Sequence, residues 1–257
     1  MGTTLSALVG GAVVSLSYGH LLWANAILSW IPVLLVLCIT EPPASFERPK
    51  KWAQNLKEVL SATLVRDPAT RLVFLNLVVW GAGSLVMFWV NQKYWQESGV
   101  PLAGFGVLLA AYNLVDGFAA RSAALGVKRY GRRPLLAATG MLPIIAYFGM
   151  ASFSGWGGIL FGFLFKVGRG LGEVLFLEAL NERISSAFRA TVISLAQLGI
   201  RASFCLLGPL VGYGIDGRGL PPVLAGLGIL FSIAFVFLLL PLVVPRAAVH
   251  PRPAVVE

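Results

Sequence analysis

Apolar stretches long enough to cross a bilayer follow one another along this chain, and its basic residues are divided unevenly among the connections. Fourteen of the 20 Lys and Arg residues lie in every second connection, whereas the alternate connections hold only Lys93 and Arg218. Loops on the cytoplasmic side of membrane proteins carry such an excess of positive charge. The pattern predicts a multi-pass protein of the cell inner (plasma) membrane with both termini in the cytoplasm.

The composition excludes most soluble folds. Apolar residues make up 57% of the chain and charged residues 12%, whereas a soluble domain is typically about 25% charged. The apolar runs are continuous rather than alternating, which favours helices over a barrel. We attribute the net charge of +9 to the orientation bias and to anionic lipid. The lipid bilayer is therefore an expected partner, and nucleic acid is not.

The apolar runs predict an all-α integral membrane protein of about eight transmembrane helices. They cover residues 4–19, 21–40, 71–92, 102–125, 134–153, 156–180, 190–214 and 221–244. We divide the chain into two helices (1–40), a cytoplasmic linker (41–70), a six-helix transmembrane bundle (71–245) and a cytoplasmic tail (246–257). In the linker, residues at helical spacing predict an amphipathic helix, with a solvated linker as the alternative: Trp52, Leu56, Val59, Leu60, Thr63 and Leu64.

Small residues recur at a spacing that lets helices approach closely. They form the pairs Gly158/Gly162, Gly168/Gly172 and Gly208/Gly212. Prolines inside the predicted spans are expected to bend the helices that carry them; they include Pro32, Pro143 and Pro209. These residues predict a multi-helix bundle without indicating its function.

Four stretches resemble sequences of the major facilitator superfamily. Residues 126–134, Gly-Val-Lys-Arg-Tyr-Gly-Arg-Arg-Pro, resemble the loop signature that follows the second and eighth of the family's twelve helices. Residues 189–195 and 208–212, the latter followed by Asp216, resemble parts of the eleventh helix. Residues 92–95, together with 99–101, resemble the outer end of the seventh helix and its following loop.

The resemblance implies that the last six spans correspond to family helices seven to twelve, as a C-terminal six-helix bundle. The two preceding spans would correspond to helices five and six, and residues 41–70 to the loop between the two six-helix halves. Two departures stand out. Lys128 occupies a position where the family loop usually has an acid, and family helices one to four have no counterpart. A truncated or partial chain is therefore expected.

Ionisable residues inside spans are candidates for a substrate or ion pathway, because a charge at bilayer centre costs about 2.5 kcal/mol or more. These are Asp116, Lys166, Arg169, Glu173 and Arg201. Arg169 and Glu173 are four residues apart and are expected to pair, either as a structural lock or as part of a central cavity. Polar and aromatic residues in the spans are further candidates, with helix bridging as the alternative for each: Asn76, Trp80, Tyr112, Asn113 and Gln197.

The excess of mid-span positive charge predicts an anionic or zwitterionic small-molecule solute. A low-dielectric environment favours the protonated form of a carboxylate, so Asp116 or Glu173 is predicted to carry coupled protons. The resemblance implies a gating role for the basic loop, whose members are Arg129, Gly131, Arg132 and Arg133. Glu178, Asn181 and Glu182 are predicted to pair with its arginines, while charge that only sets orientation is the alternative.

The predicted function is secondary active transport by alternating access. The alternative is a non-transporting membrane fragment that assembles with a partner supplying the missing helices. An enzyme is not expected, because the chain has no Ser-His-Asp set, no His cluster and no metal-ligand spacing. No cofactor and no metal are predicted.

Overall fold

The computed structural model describes residues 4, 6, 9–11, 17–38, 61 and 67–244, and the regular structure within them is helical. The helices are α1 (Tyr18–Leu28), α2 (Ile31–Leu37), α3 (Pro68–Glu97), α4 (Leu102–Tyr130), α5 (Arg132–Ser152), α6 (Gly155–Asn181), α7 (Ser186–Arg218), α8 (Leu220–Ala234) and α9 (Leu240–Val243), with a π-helical turn (Phe235–Leu239) joining α8 to α9. The residues of the predicted amphipathic helix, the tail and half of the first predicted span lie outside the described residues.

Five helical stretches are long and apolar enough to cross a membrane, which supports a membrane protein. They are α3, α4, α5, the Phe188–Arg218 part of α7, and the continuous stretch from α8 to α9, Leu220–Val243. Helix α6 is 27 residues long but is not among the five. It carries three charged residues in its middle, Lys166, Arg169 and Glu173, whereas each of the five stretches has an apolar window with at most two. The predicted span at 156–180 is therefore a helix of spanning length with a charged centre.

The second predicted span, 21–40, is interrupted in the structure. The apolar stretch Leu22–Leu37 is shorter than a full span and divides at Ser29 and Trp30 into α1 and α2. Pro32, at the start of α2, has no amide hydrogen to donate to the preceding turn, which accounts for the break. Large apolar side chains of this stretch are exposed, including Trp23, Trp30 and Leu37.

Helix α6 lies at the centre of the described bundle. It packs against α3, α4 and α5, while α7 packs mainly on α3 and α8 packs on α5. A helix with several charged residues is stable in a membrane when those residues face protein or a cavity rather than lipid. This central position therefore explains how α6 accommodates its charges.

Glycines on α6 create space for the side chains of neighbouring helices. Tyr94 and Tyr112 occupy the space beside Gly158 and Gly162, respectively. The hydroxyl of Tyr94 donates to the carbonyl oxygen of Phe153, and that of Tyr112 donates to the carbonyl oxygen of Ile159 at 2.6 Å. Such bonds join helices where water is absent, so these two glycines and two tyrosines hold α3 and α4 against the start of α6.

The other two glycine pairs differ from each other. A Cβ atom at Gly168 would lie 2.5 Å from Cδ of Pro143, so α5 and α6 are in close contact there. At Gly212, by contrast, a Cβ atom would meet nothing within 4 Å among the described residues. The sequence predicts close packing at both positions. In the structure, Gly168 is closely packed and Gly212 is not.

We expect Gly168→Ala to destabilise the bundle by about 1–3 kcal/mol, since the added methyl overlaps a rigid proline ring. The matched variant Gly212→Ala adds a methyl to open space inside α7 and should leave the thermal unfolding midpoint unchanged or slightly higher, since alanine favours a helix. Thermal unfolding in detergent, followed by circular dichroism, checks both. Equal midpoints for the two variants would contradict the packing described for α5 and α6.

Candidate functional site

A cavity of about 820 Å³ lies among α3, α4, α6 and α7, with Thr139 and Pro143 of α5 and Ser6 also in its lining. Eight of the ten residues predicted for a substrate or ion pathway line it: Trp80, Asn113, Asp116, Lys166, Arg169, Glu173, Gln197 and Arg201. Its volume lies within the range of small-molecule sites, about 300–1,000 Å³. The sequence therefore identified most of the polar residues that line this cavity.

Arg169 is the centre of an ion-pair cluster inside this cavity. Its guanidinium pairs with Asp116 across the α4–α6 interface. Its Nη2 lies 3.0 Å from Oε2 of Glu173, one turn along α6. The pair with Glu173 was predicted from spacing, but the pair with Asp116 was not. The side chains become more exposed from Asp116 (18%) through Arg169 (32%) to Glu173 (53%), so the cluster extends from the protein interior to the cavity surface.

The close crossing of α4 and α6 makes the Asp116–Arg169 contact possible. Gly170, next to Arg169, faces α4, and a Cβ atom there would lie 3.1 Å from Cβ of Ala119 and 3.2 Å from the amide nitrogen of Ala120. The absence of a side chain lets the two backbones approach. Arg169 consequently reaches a carboxylate that is 53 residues away in sequence.

Two further cations line the cavity. Lys166 is only 8% exposed, and Arg201, on α7, is exposed. Neither forms an ion pair within the described part of the chain, where Asp116 and Glu173 both pair with Arg169. The lining therefore holds three cations and two carboxylates, a net charge of +1, with its two carboxylates already engaged.

Aromatic side chains form much of the remaining wall, including those of Trp80, Phe88, Phe165 and Phe176. Trp80 is fixed in place, because its Nε1 donates to Oδ1 of Asn76 at 3.0 Å and its ring lies 5.3 Å from the ring of Phe231. The cavity thus combines a polar face with a rigid apolar one, as small-molecule sites usually do.

Two predicted site residues lie away from the cavity and bridge helices instead. Tyr112 is fully buried and donates to α6 as described above. Asn76 donates from Nδ2 to the carbonyl oxygens of Leu72 and Leu238, both at 2.8 Å. Leu238 belongs to the π-helical turn, so Asn76 provides a hydrogen bond where the regular helical ladder is altered. Helix bridging was the stated alternative for both residues.

Several lining residues are not among those predicted from the sequence. They include Ser84, Phe88, Thr139, Phe165 and Phe176, which are ordinary residues of apolar helices. Ser84 and Phe88 follow Trp80 at intervals of four residues on α3, so the face defined by Trp80 already contained them. Helical periodicity counted from Trp80 would therefore have identified Ser84 and Phe88 as lining residues.

The basic loop lies where α4 ends and α5 begins, and we call this end of the bundle the basic end. Nη1 of Arg132 lies 2.9 Å from Oε2 of Glu182, and its Nη2 lies 3.9 Å from Oε2 of Glu178. The predicted pairing is therefore present for Arg132. Arg129 instead lies over the ring of Tyr130 at 5.4 Å. Gly131 joins the helices with φ +87°, a conformation that favours glycine.

Asp67 caps α3 at the same end. Its carboxylate accepts hydrogen bonds from the backbone amides of Ala69 and Thr70 and from the Thr70 hydroxyl. Burial alone would raise the pKa of Asp67, but these hydrogen bonds and the charge of Arg183 outweigh it and lower the pKa. The cap therefore remains ionised and fixes the start of a helix that lines the cavity.

Metal ligation is not evident in the described residues, where no group of three or more His, Cys, Asp or Glu side chains is arranged to hold an ion. The cavity is lined by charged, hydrogen-bonding and aromatic side chains. These groups suit the binding of a small solute.

Replacing Arg169 by Met should destabilise the chain by about 2 kcal/mol, because Asp116 and Glu173 lose their shared partner. Adding Asp116→Asn should recover part of the loss, since it removes the more buried of the two stranded carboxylates. Arg201→Met is the matched control and should have little effect on the thermal unfolding midpoint. Additive effects of Arg169→Met and Asp116→Asn would show that the pair does not couple the two helices.

Comparison of the chain with models of protein families, with characterised protein sequences and with solved structures gave no match. The likeness to the major facilitator superfamily therefore depends on the loop and helix motifs of the chain itself. The helical architecture and the cavity do not depend on that likeness. They are the basis on which a function is proposed.

Proposed function

We propose that this chain is a secondary active transporter of a small solute, with the cavity among α3, α4, α6 and α7 as its binding site. The observation that carries the proposal is a cluster of charged side chains at a cavity between helices of membrane-spanning length. Intramembrane charges that line a cavity are typical of substrate and ion pathways. The resemblance to the major facilitator superfamily adds alternating access as the mechanism.

Exposed polar side chains at the open side of the cavity indicate that further helices complete the binding site. Glu173, Gln197 and Arg201 lie in the interior of their helices and are exposed. Side chains of this kind are costly to place against hydrocarbon. In addition, α4 and α7 are the least buried of the five spanning stretches. We infer that another helical unit covers this face and forms the opposite wall.

The same exposed polar face favours a second candidate function. In it, the chain does not transport by itself and assembles with a separate polypeptide that supplies the opposite wall. Transport by the purified chain alone, reconstituted in liposomes, would reject this candidate. Transport only after a second polypeptide is added would support it. In both cases the distribution of Lys and Arg supports a plasma-membrane protein with the basic end in the cytoplasm.

A single cysteine in the cavity tests the transporter directly. Ser84→Cys would be made with Cys38 and Cys205, which are both exposed, replaced by Ser. Alternating access predicts labelling by a membrane-impermeant maleimide from either side of a sealed liposome, without an ion leak. Labelling from both sides together with a leak would indicate a channel. Absence of labelling from both sides would contradict a cavity that opens to water.

In this Ser84→Cys background, Arg132→Gln should make the introduced thiol more accessible from the side of the basic end, since it removes the ion pairs with Glu178 and Glu182. Exposed ion pairs are worth about 0–1 kcal/mol, so labelling should accelerate about two- to fivefold. Arg133→Gln removes the same charge without breaking an ion pair of the described residues and is the matched variant. Equal acceleration in both would favour bulk charge over a specific closing contact.

Asp116→Asn should weaken the pH dependence of maleimide labelling in the Ser84→Cys background if protons drive the conformational change. The amide of Asp116→Asn carries no charge at any pH, so Arg169 lacks this ion-pair partner throughout the pH range. Glu173→Gln is the comparison, because Glu173 is much more exposed than Asp116. A pH profile unchanged in both variants, after correction for maleimide reactivity, would remove these carboxylates from the proton pathway.

A further inference from the structure

We propose that the solute is an organic anion, with a carboxylate, sulfonate or phosphate group on an aromatic or other apolar body. This inference rests on the proposed function, because it assigns a substrate class to the same cavity. The sequence left anionic and zwitterionic solutes as alternatives. The arrangement of charges in the cavity distinguishes them.

The carboxylates of the cavity already have a cationic partner. Asp116 and Glu173 both pair with Arg169, and the other lining residues of the described chain include no acid. The ammonium group of a cationic or zwitterionic solute would therefore compete with Arg169 for the charge of these carboxylates, although Oδ1 of Asp116 has no hydrogen-bond partner among the described residues. An anionic solute faces no such competition.

Lys166 is the residue that most directly favours an anion. Its side chain lines the cavity, is only 8% exposed and has no ion-pair partner among the residues that the structure describes. A buried ammonium without a counter-ion is costly. Arg169 lies three residues along the same helix and also carries a positive charge on the same face, while the nearby charge of Asp116 is paired with Arg169. A bound anionic group would supply the missing negative charge. Arg201, which lines the cavity from α7, adds a second positive charge from a different helix.

The apolar wall specifies the rest of the solute. The rings of Trp80, Phe88, Phe165 and Phe176 face the same cavity as the two cations. The hydrogen bond from Trp80 to Asn76 holds one of these rings in a fixed orientation. A volume of about 820 Å³ exceeds what an inorganic ion requires and accommodates a solute with one or two rings.

Four aromatic probes of similar size that differ in charge test the inference: 2-naphthoate (anion), 2-naphthylmethylammonium (cation), 2-naphthalenemethanol (neutral) and tryptophan (zwitterion). Their dissociation constants with the purified full chain are measured by equilibrium dialysis at neutral pH. We expect 2-naphthoate to bind about tenfold or more tightly than the other three, since a charge-assisted contact contributes at least one factor of ten.

Variants then assign the binding to the two cations. Lys166→Met and Arg201→Gln should each weaken 2-naphthoate binding about tenfold, while Lys166→Arg should retain most of it. The matched controls are Lys93→Met, which removes a lysine outside this cavity, and Arg218→Gln, at the end of α7. Neither should change binding. Circular dichroism and gel filtration confirm that each variant is folded before it is measured.

Three results would overturn the inference: binding of the ammonium probe or tryptophan as tight as that of 2-naphthoate, binding of none of the probes, or full 2-naphthoate binding by Lys166→Met. Maleimide labelling of the Ser84→Cys variant uses no anion and reports on transport separately. Loss of anion preference with two-sided labelling intact would reject only the substrate class. Anion binding without two-sided labelling would reject the transporter and leave the anion site in place.

Discussion

The placement of α6 is the constraint on which the rest of the structure depends. This helix carries Lys166, Arg169 and Glu173, so contact with hydrocarbon on that face would be costly. In the structure, α3, α4 and α5 surround it. Its glycines make this possible, because they allow Tyr94, Tyr112 and the α4 backbone to approach closely. The charges of α6 therefore face protein or the cavity, and residues of the charged face and of α7 line the cavity together.

The ion-pair cluster gives this cavity its electrostatic character. Arg169 uses both carboxylates of the lining, which leaves Lys166 and Arg201 without acidic partners among the described residues. The lining therefore has a net charge of only +1, but its unpaired charges within the described residues are both positive. This asymmetry supports the assignment of an anion, and the exposed polar side chains at the mouth support a second helical unit opposite.

Much of the site was predictable because charged residues inside apolar helices are rare and costly, so eight of the ten predicted pathway residues line the cavity. The two exceptions have a common cause. Asn76 and Tyr112 are polar residues in spans like the others, but their hydrogen bonds go to backbone carbonyls of neighbouring helices. Sequence alone does not show whether a polar group has such a partner. The break between α1 and α2 shows similarly that a continuous apolar run can contain a helix interruption, here before Pro32.

The sequence by itself determined that this is a helical protein suited to a membrane, roughly where its helices begin and end, and which side chains are too polar to face lipid. Those features follow from local composition, since burial of apolar side chains and satisfaction of backbone hydrogen bonds act along each segment. Only the tertiary structure decided that Asp116 is the partner of Arg169, that Gly168 packs closely while Gly212 does not, and that Lys166 lacks a counter-ion within the described residues. These outcomes depend on how helices cross, and contacts between residues distant in the chain are not encoded in the periodicity of either helix.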